Sequence, residues 1–274
     1  PGIPAGIFWL FVGLGIIIQG ISKSGFAGGV GILTIPLMAL VMPVDKVVAC
    51  LLPLLILCDF NAIYHHRRNK SWKHILEIYI PSLIGILAGA VLWWWIGHKG
   101  VEQYATFLKR CVGLIAVFFA LYILSREGAH EWINHLRMTP RTGWILGPLA
   151  GFTSTLAHSA GPIVSLYIWA QGMGKSLFVG TVAWTFTLIN LSKLPFYVGI
   201  GLIGVDELFF DSVLVWLIPI GSYLGKWMHD RVSEEAFNRV IMILVFAAGI
   251  QLIVNVNLVL LILEKLVGPL LGRF

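Results

Sequence analysis

The residues best suited to chemistry are polar side chains in two glycine-rich stretches, residues 20–31 and 151–162. Lys23 is the only charged residue among the first 44, and the second stretch contains His158. Both stretches also carry hydroxyl side chains, which donate hydrogen bonds. A lysine and hydroxyls beside loosened backbone suit the binding of a small anion, because backbone N–H groups at a helix start also favour negative charge.

The five glycines among residues 20–31 predict that a helix breaks there, because each costs roughly 1 kcal/mol relative to alanine. A helix that restarts near Gly28 would point its free N–H groups and positive dipole end into the break. In residues 151–162, Ser159 suits the N-cap and Pro162 the first turn of a restarting helix. The alternative is that small residues only let helices pack closely. That alternative does not explain the charged or titratable side chains in both stretches.

Three further polar residues lie inside apolar segments, where ionisable groups are costly and indicate function. We expect Asp59 to form a buried pair with a lysine or to carry a proton. Lys193 has two interpretations: it snorkels to the membrane surface, or it completes the site together with Asn190. The second is plausible on geometry because the two residues stand three apart and would share a helix face.

The composition predicts a helical membrane protein. Of the 274 residues, 58% are hydrophobic and 12% are charged, and the charged share is roughly half of that in soluble domains. Charge-free runs such as 78–98 and 142–174 are long enough for helices that cross a bilayer. No segment shows the alternation of a membrane β-barrel. The fold class is therefore all-α, as a polytopic membrane protein.

The net charge of +6 does not indicate a nucleic-acid partner, because the basic residues lie in short connections and not on one face. Their position matches the bias of Lys and Arg towards cytoplasmic loops. Cys50, Cys58 and Cys111 lie in apolar segments without metal-ligand or disulfide spacing, so we interpret them as small buried hydrophobic residues. We expect no metal and no cofactor.

Ten apolar segments are predicted, at 3–21, 26–42, 45–64, 75–97, 103–124, 143–156, 159–171, 176–199, 207–226 and 236–262. The segments 143–156 and 159–171 are short for a full crossing, so we expect half-helices or a re-entrant hairpin. The basic loop 64–74 is placed in the cytoplasm and the loop 199–207 outside. Trp93, Trp94 and Trp95 are expected at the outer interface as an aromatic belt.

A shift of 131 residues aligns the first glycine-rich stretch with the second and so predicts an internal repeat. The aligned pairs are Gly20 and Gly151, Ser22 and Thr153, Ser24 and Thr155, Gly28 and Ser159, and Asp59 and Asn190. Each repeat holds five segments, an odd number, so the second copy is inverted relative to the first. The expected divisions are a first repeat at 1–125, a cytoplasmic linker at 126–142 and a second repeat at 143–274.

Five motifs lie in order along nearly the whole chain. They are Ser-Lys-Ser-Gly-Phe-Ala-Gly-Gly-Val-Gly at 22–31, Leu-Leu-Pro-Leu-Leu-Ile-Leu-Cys-Asp at 51–59, the stretch 151–162, Phe-Val-Gly-Thr at 178–181 and Asn-Leu-Ser-Lys-Leu-Pro at 190–195. Together they resemble the sulfite exporter TauE/SafE family. The resemblance implies movement of sulfite, sulfoacetate, other organosulfur anions or small carboxylates across the bacterial inner membrane. It also implies that members share Lys23, Asp59, His158, Asn190 and Lys193, while Ala27, Ala160 and Ile163 depart from the family pattern.

Inverted repeats with broken helices are typical of secondary transporters that bind substrate near the bilayer midplane. We therefore predict a transporter of a small organosulfur or related anion, working by alternating access. The expected substrate-binding residues are Ser22, Lys23, Ser24, Gly28, Gly29, Thr153, Thr155, His158, Ser159, Asn190 and Lys193. Asp59 and His158 are the expected proton-coupling residues, since both can change charge.

Two alternatives remain open at this point. The first is a proton-coupled cation or metal transporter centred on Asp59, His158 and the cysteines, although it lacks the several ligands that such cations prefer. The second is an integral-membrane enzyme or assembly factor, but no recognisable nucleophile motif is present, so we do not expect an enzyme. The expected partners are a small anion and the lipid bilayer, and a homodimer stays open.

Overall fold

The computed structural model describes residues 3–25, 29–66, 68–128, 138–229 and 231–255, and every regular element in these ranges is helical. The helices are α1 (Ala5–Gly25), α2 (Thr34–Met38), α3 (Val44–His66), α4 (Trp72–Lys99), α5 (Ala105–Gly128), α6 (Pro140–Ala157), α7 (Gly161–Trp169), α8 (Lys175–Gly199), α9 (Val205–Leu214), α10 (Leu217–His229) and α11 (Glu234–Val254). Two 3₁₀ turns, Gly29–Leu33 and Val101–Tyr104, precede α2 and α5.

The predicted all-α membrane architecture is confirmed. Within the described ranges, five helices are long and apolar enough to cross a membrane, namely α1, α3, α4, α5 and α8. The pair α9 and α10, bent by 44°, makes a sixth if it is counted as one span. The central part of the expected linker, residues 129–137, and the part of the tenth segment beyond residue 255 lie outside the described residues.

The first short segment folds back along the helix that precedes it. The backbone N–H of Gly31 donates to Ser22 Oγ over 2.7 Å and so joins the two sides of the break. Further along, Thr34 Oγ1 donates to the carbonyl of Gly15 at 3.1 Å. Because higher residue numbers on the returning side meet lower numbers on α1, the chain forms a hairpin. We call α1, the 3₁₀ turn and α2 the first hairpin.

The second short segment does the same after α6. The backbone N–H of Ser159 donates to the carbonyl of Thr153 at 3.3 Å, and Gln171 Nε2 reaches the carbonyl of Met138 at 3.3 Å. The chain that leaves α7 has therefore returned to the start of α6. We call α6 and α7 the second hairpin. Both breaks fall in the glycine-rich stretches, and the restart in the first stretch is a 3₁₀ turn from Gly29 rather than an α-helix.

Each hairpin packs tightly against a distant helix through glycines. α1 lies against α10, where a Cβ on Gly20 would stand 2.9 Å from the Cα of Gly221. α6 lies against α4. A Cβ on Gly85 would overlap the carbonyl oxygen of Pro148, and a Cβ on Gly151 would overlap the carbonyl oxygen of Ser82. The glycine-rich stretches thus also serve close packing, the alternative named above.

Two large buried side chains fix the end of α6 next to its break. Trp93 is 2% exposed, and its Nε1 donates to the carbonyl of Thr155 at 3.0 Å. Tyr197 is fully buried, and its hydroxyl donates to the same carbonyl at 2.5 Å. Trp94 and Trp95 are exposed, as a belt requires, but Trp93 points inwards because its ring fills the α4–α6 contact.

Candidate functional site

A pocket lies where the tips of the two hairpins meet α3 and α8. Among the described residues its polar side chains are Gln19, Lys23, Ser154, His158, Ser159 and Asn190. Gly31 and Gly161 contribute backbone from the two breaks, while Leu55 and Phe186 form an apolar wall. The part of this space that can hold the centres of water molecules is about 30 Å³, roughly two to three times the minimum that one water molecule needs.

Lys23 lines the pocket and forms an ion pair with Asp59. Its Nζ lies 2.5 Å from Asp59 Oδ1, and Asn190 Nδ2 donates to Asp59 Oδ2 at 2.6 Å. The Asp59 side chain is fully buried, whereas that of Lys23 is 13% exposed. Lys23 Nζ also lies 4.5 Å from the centre of the Phe186 ring. Asp59 therefore stands behind the pocket and positions the lysine, which keeps N–H donors for a ligand.

Lys193 lies behind the second hairpin and does not reach the membrane surface. Its side chain is fully buried, and its Nζ is 2.9 Å from Ser154 Oγ and 3.2 Å from the carbonyl oxygen of the same residue. The third neighbour of this amine is His158 Nδ1, at 2.8 Å. All three partners of this amine thus lie at the end of α6 and at the break that follows it. The structure thus excludes the snorkelling interpretation for this residue.

His158 joins the second hairpin to α3. It follows α6 with φ at +44°, a left-handed conformation that histidine adopts more readily than most side chains. Its Nε2 lies 2.9 Å from the carbonyl oxygen of Val48, and since a carbonyl only accepts, Nε2 carries the hydrogen. Nδ1 then accepts from Lys193. Both ring nitrogens are therefore occupied, and the ring faces the pocket without a free N–H donor.

Four predicted binding residues use their hydroxyl groups in hydrogen bonds within the hairpins, and only one of the four lines the pocket. Ser22 is buried and accepts across the first break. Thr153 and Thr155 each donate at 2.8 Å to a carbonyl one turn earlier in α6. Ser159 lines the pocket, but its hydroxyl donates at 2.8 Å to the carbonyl of Ala157. The hydroxyl hydrogens of Thr153, Thr155 and Ser159 are thus used within the protein.

The remaining predicted positions belong to the first break. Gly29 begins the 3₁₀ turn. Gly28 lies outside the described residues, and so does the side chain of Ser24, whose backbone belongs to α1.

The pocket residues that are absent from the predicted site include Gln19, Ser154 and Phe186. Gln19 is the first polar side chain of the chain, and it stands one turn before Lys23 on the same helix face. Ser154 is the partner of Lys23 under the shift of 131 residues. These two signals could have found both residues, while no sequence signal singles out Phe186.

The pocket is rich in hydrogen-bond donors. Two lysines accompany one carboxylate in this network, so its formal charge is +1 when both amines are protonated. A buried charge is costly unless an opposite charge accompanies it, so an anion in the pocket would complete the network. The first turn of α7, at Gly161, adds the N–H groups and positive dipole of a helix start.

Cys50 and Cys58 are buried and Cys111 is partly buried, all with free thiols. Within the described part of the chain, no three His, Cys, Asp or Glu side chains come close enough to hold a metal ion.

Comparison with known families matches residues 11–252 to the model of the sulfite exporter TauE/SafE family. The matched range contains the first hairpin from residue 11 onwards, the whole second hairpin and every residue of the pocket. Comparisons with curated proteins and with solved structures gave no match.

Proposed function

Because the chain belongs to the sulfite exporter TauE/SafE family, a family of membrane anion exporters, we propose that it is a secondary transporter that works by alternating access at the pocket. The proposed substrate is a small organosulfur or related anion: sulfite, sulfoacetate or another sulfonate, or a carboxylate. The proposed location is the bacterial inner membrane.

The observation that carries this proposal is that both hairpin tips meet at one pocket lined by Lys23 and by further N–H and O–H groups. Lys23 would bind the anionic head group directly, and the side-chain amide of Asn190 has a second N–H available beside it. Ser154 would donate its hydroxyl hydrogen, because its oxygen already accepts from Lys193. Charge-assisted hydrogen bonds of this kind are the strong ones.

The apolar wall supports an organic substrate. Leu55 and Phe186 face the same space as the donors, so an anion with a short carbon chain can direct its head group to Lys23 and its carbon atoms to this wall. Ligand sites commonly combine apolar surface with a few polar groups that fix orientation.

Alternating access is supported by the way in which the two halves correspond. Shifting α1 to α5 by 131 residues brings them onto α6, α7, α8, the pair α9–α10, and α11 in order. The packing follows the same rule, since α1 lies on α10 and α6 lies on α4. Each hairpin thus packs on the fourth helix of the other half. This correspondence supports inverted repeats at 1–125 and 143–274, the architecture of rocking transporters.

The proposal is tested by anion flux into vesicles that contain the purified protein. We expect Lys23→Ala to abolish flux of sulfite or sulfoacetate, and Lys23→Arg to retain part of it because the charge remains. Lys99→Ala is the matched control, since Lys99 is exposed at the end of α4. Unchanged anion flux in Lys23→Ala would contradict the proposal. Unchanged anion flux with loss of metal uptake would favour a cation transporter.

Substrate identity can be narrowed by thermal unfolding of the detergent-solubilised protein. A ligand that binds the folded state raises its melting temperature. The screen uses sulfite, thiosulfate, sulfoacetate, taurine and simple carboxylates. We expect the substrate to raise the melting temperature of the wild type but not of Lys23→Ala. A protein that is unaffected by every anion, yet shows a turnover or a tight protein partner, would favour an enzyme or assembly factor.

A further inference from the structure

A second buried carboxyl group lies outside the pocket, where α9 packs on α3. Asp211 is 5% exposed, and neither of its side-chain oxygens has a hydrogen-bond partner among the described residues. Glu207, one turn earlier on α9, has a hydrogen-bond partner for each carboxylate oxygen. It accepts from Lys46 Nζ at 2.5 Å and from the N–H of Gly204 at 2.9 Å. Lys46 thus compensates Glu207 and not Asp211.

The surroundings of Asp211 favour its neutral form. The titratable groups that interact with it are Cys50 on α3 and Glu207 on its own helix. Asp45 and Lys46 on α3 lie close to Cys50. α1 contacts α9 through aromatic rings on Phe210 and has no titratable side chain before Lys23. A buried carboxylate without a donor or a cation is so unfavourable that the group takes up a proton instead.

Asp59 differs from Asp211 in its contacts. Both oxygens of Asp59 have partners, Lys23 on one side and Asn190 on the other. His158 is similarly occupied at both ring nitrogens. The two groups that the sequence indicates for proton coupling are therefore held by the pocket network, while Asp211 is free of such contacts among the described residues.

We propose that Asp211 binds and releases the proton whose movement is coupled to that of the anion. This inference rests on the proposed transport function. α9 packs on α3, the helix that carries Leu55 and Asp59 to the pocket, so a shift of α9 against α3 connects the two sites. In one state the O–H bond of Asp211 breaks and its proton passes to water on one side of the membrane. In the other state the carboxylate takes a proton from water on the opposite side.

The test compares two kinds of transport in the same vesicles for wild type and Asp211→Asn. Counterflow of labelled against unlabelled sulfite needs only anion exchange, whereas accumulation driven by an imposed pH gradient needs proton coupling. We expect Asp211→Asn to retain counterflow and to lose the pH-driven accumulation. Asp206→Asn, which changes an exposed acid on the same helix, should retain both.

The outcomes separate this inference from the proposed function. Equal pH-driven accumulation in wild type and Asp211→Asn would overturn the role of Asp211 and leave anion transport standing. The role of Asp211 would also be overturned, and anion transport would still stand, if the wild type shows counterflow but its anion accumulation does not respond to the imposed pH gradient. Absence of counterflow for all tested anions in the wild type would overturn both proposals.

Infrared spectroscopy gives a readout that does not depend on transport. At neutral pH the wild type should show the C=O band of a protonated carboxylic acid, shifted in D₂O and missing in Asp211→Asn. Asp211→Glu should restore the band and the pH-driven accumulation. If Asp211→Asn does not fold, the wild-type spectrum still decides, because a wild type without such a band overturns the proposal.

Discussion

Among single residues, Ser154 links a fully buried lysine to the pocket. Its Oγ accepts from Lys193 at 2.9 Å, so its own hydrogen must point to another acceptor. Ser154 lines the pocket, and a hydroxyl that accepts one hydrogen bond becomes a stronger donor in the next. Lys193 can thus act on a bound anion through Ser154 without contacting the anion itself.

We therefore predict that Ser154→Ala weakens anion binding and spares the fold. The Lys193 amine keeps the carbonyl of residue 154 and His158 as acceptors. A hydrogen bond to a charged group contributes about 1.5–3 kcal/mol, so the dissociation constant should rise roughly 10- to 100-fold. Isothermal titration with the best anion of the melting screen measures this change.

Thr153→Ala is the control for that measurement, because the Thr153 hydroxyl bonds within α6 and does not line the pocket. Equal affinity in Ser154→Ala and wild type, or an equal loss in both variants, would contradict the role given to Ser154.

At this scale the sequence predicts which stretches matter better than which side chains do. Lys23, His158, Ser159 and Asn190 reach the pocket as expected. Thr153 and Thr155 flank Ser154 on α6, and because a helix turns about 100° per residue, neighbours of a pocket residue face elsewhere. All three carry hydroxyls, so composition could not tell which one faces the site. That choice depends on how α6 rotates against α4.

Among the helices, glycine contacts set how closely each hairpin approaches its partner. Gly85 on α4 meets the backbone of α6 without room for a side chain, whereas a Cβ on Gly97 of the same helix would have nothing within 4 Å. The α4–α6 contact holds the second hairpin in place, so its spacing also determines the position of Ser154 and His158.

We predict that Gly85→Ala destabilises the protein and that Gly97→Ala does not. An added methyl group in a filled contact costs about 1–3 kcal/mol, and here it would push against a backbone carbonyl. Gly97→Ala should be neutral or stabilising, since alanine favours helix by roughly 1 kcal/mol over glycine. Thermal unfolding in detergent measures both, and a similar melting temperature for the two variants would refute the packing argument.

The boundaries of the helices follow from the sequence more closely than the path between them. The ten predicted segments correspond to the observed order of helices when α9 and α10 are counted together. The sequence does not determine the direction of the chain after each break, because that direction depends on contacts between residues such as Ser22 with Gly31 and Gln171 with Met138. Hydropathy predicts which residues are buried or lie in the membrane, but it does not predict which of them are in contact.

For the whole molecule, the proposed inverted arrangement requires that corresponding loops lie on opposite sides of the membrane. Residues 68–71 connect α3 to α4, and residues 200–204 connect α8 to α9. The first connection is rich in basic residues and the second is not, so we expect the first in the cytoplasm.

Single cysteines in a background without the native ones test this arrangement. We expect Val205→Cys, at a position that is 83% exposed, to react with a membrane-impermeant maleimide in intact cells. Asn69→Cys, also exposed, should react only after the cells are permeabilised. Labelling of both from the same side would refute inverted repeats. Labelling of Asn69→Cys alone in intact cells would instead reverse the orientation.

Asp59 and Asn190 are 131 positions apart and share a hydrogen bond. If a two-fold axis relates the halves of the chain, a residue in contact with its own counterpart lies on that axis. In a rocking motion, displacements grow with distance from the rotation axis, so the contact between Asp59 and Asn190 would change least while the helix ends move most. An anion bound beside Asn190 would then stay close to the rotation axis. It would be exposed to either compartment in turn while moving little itself.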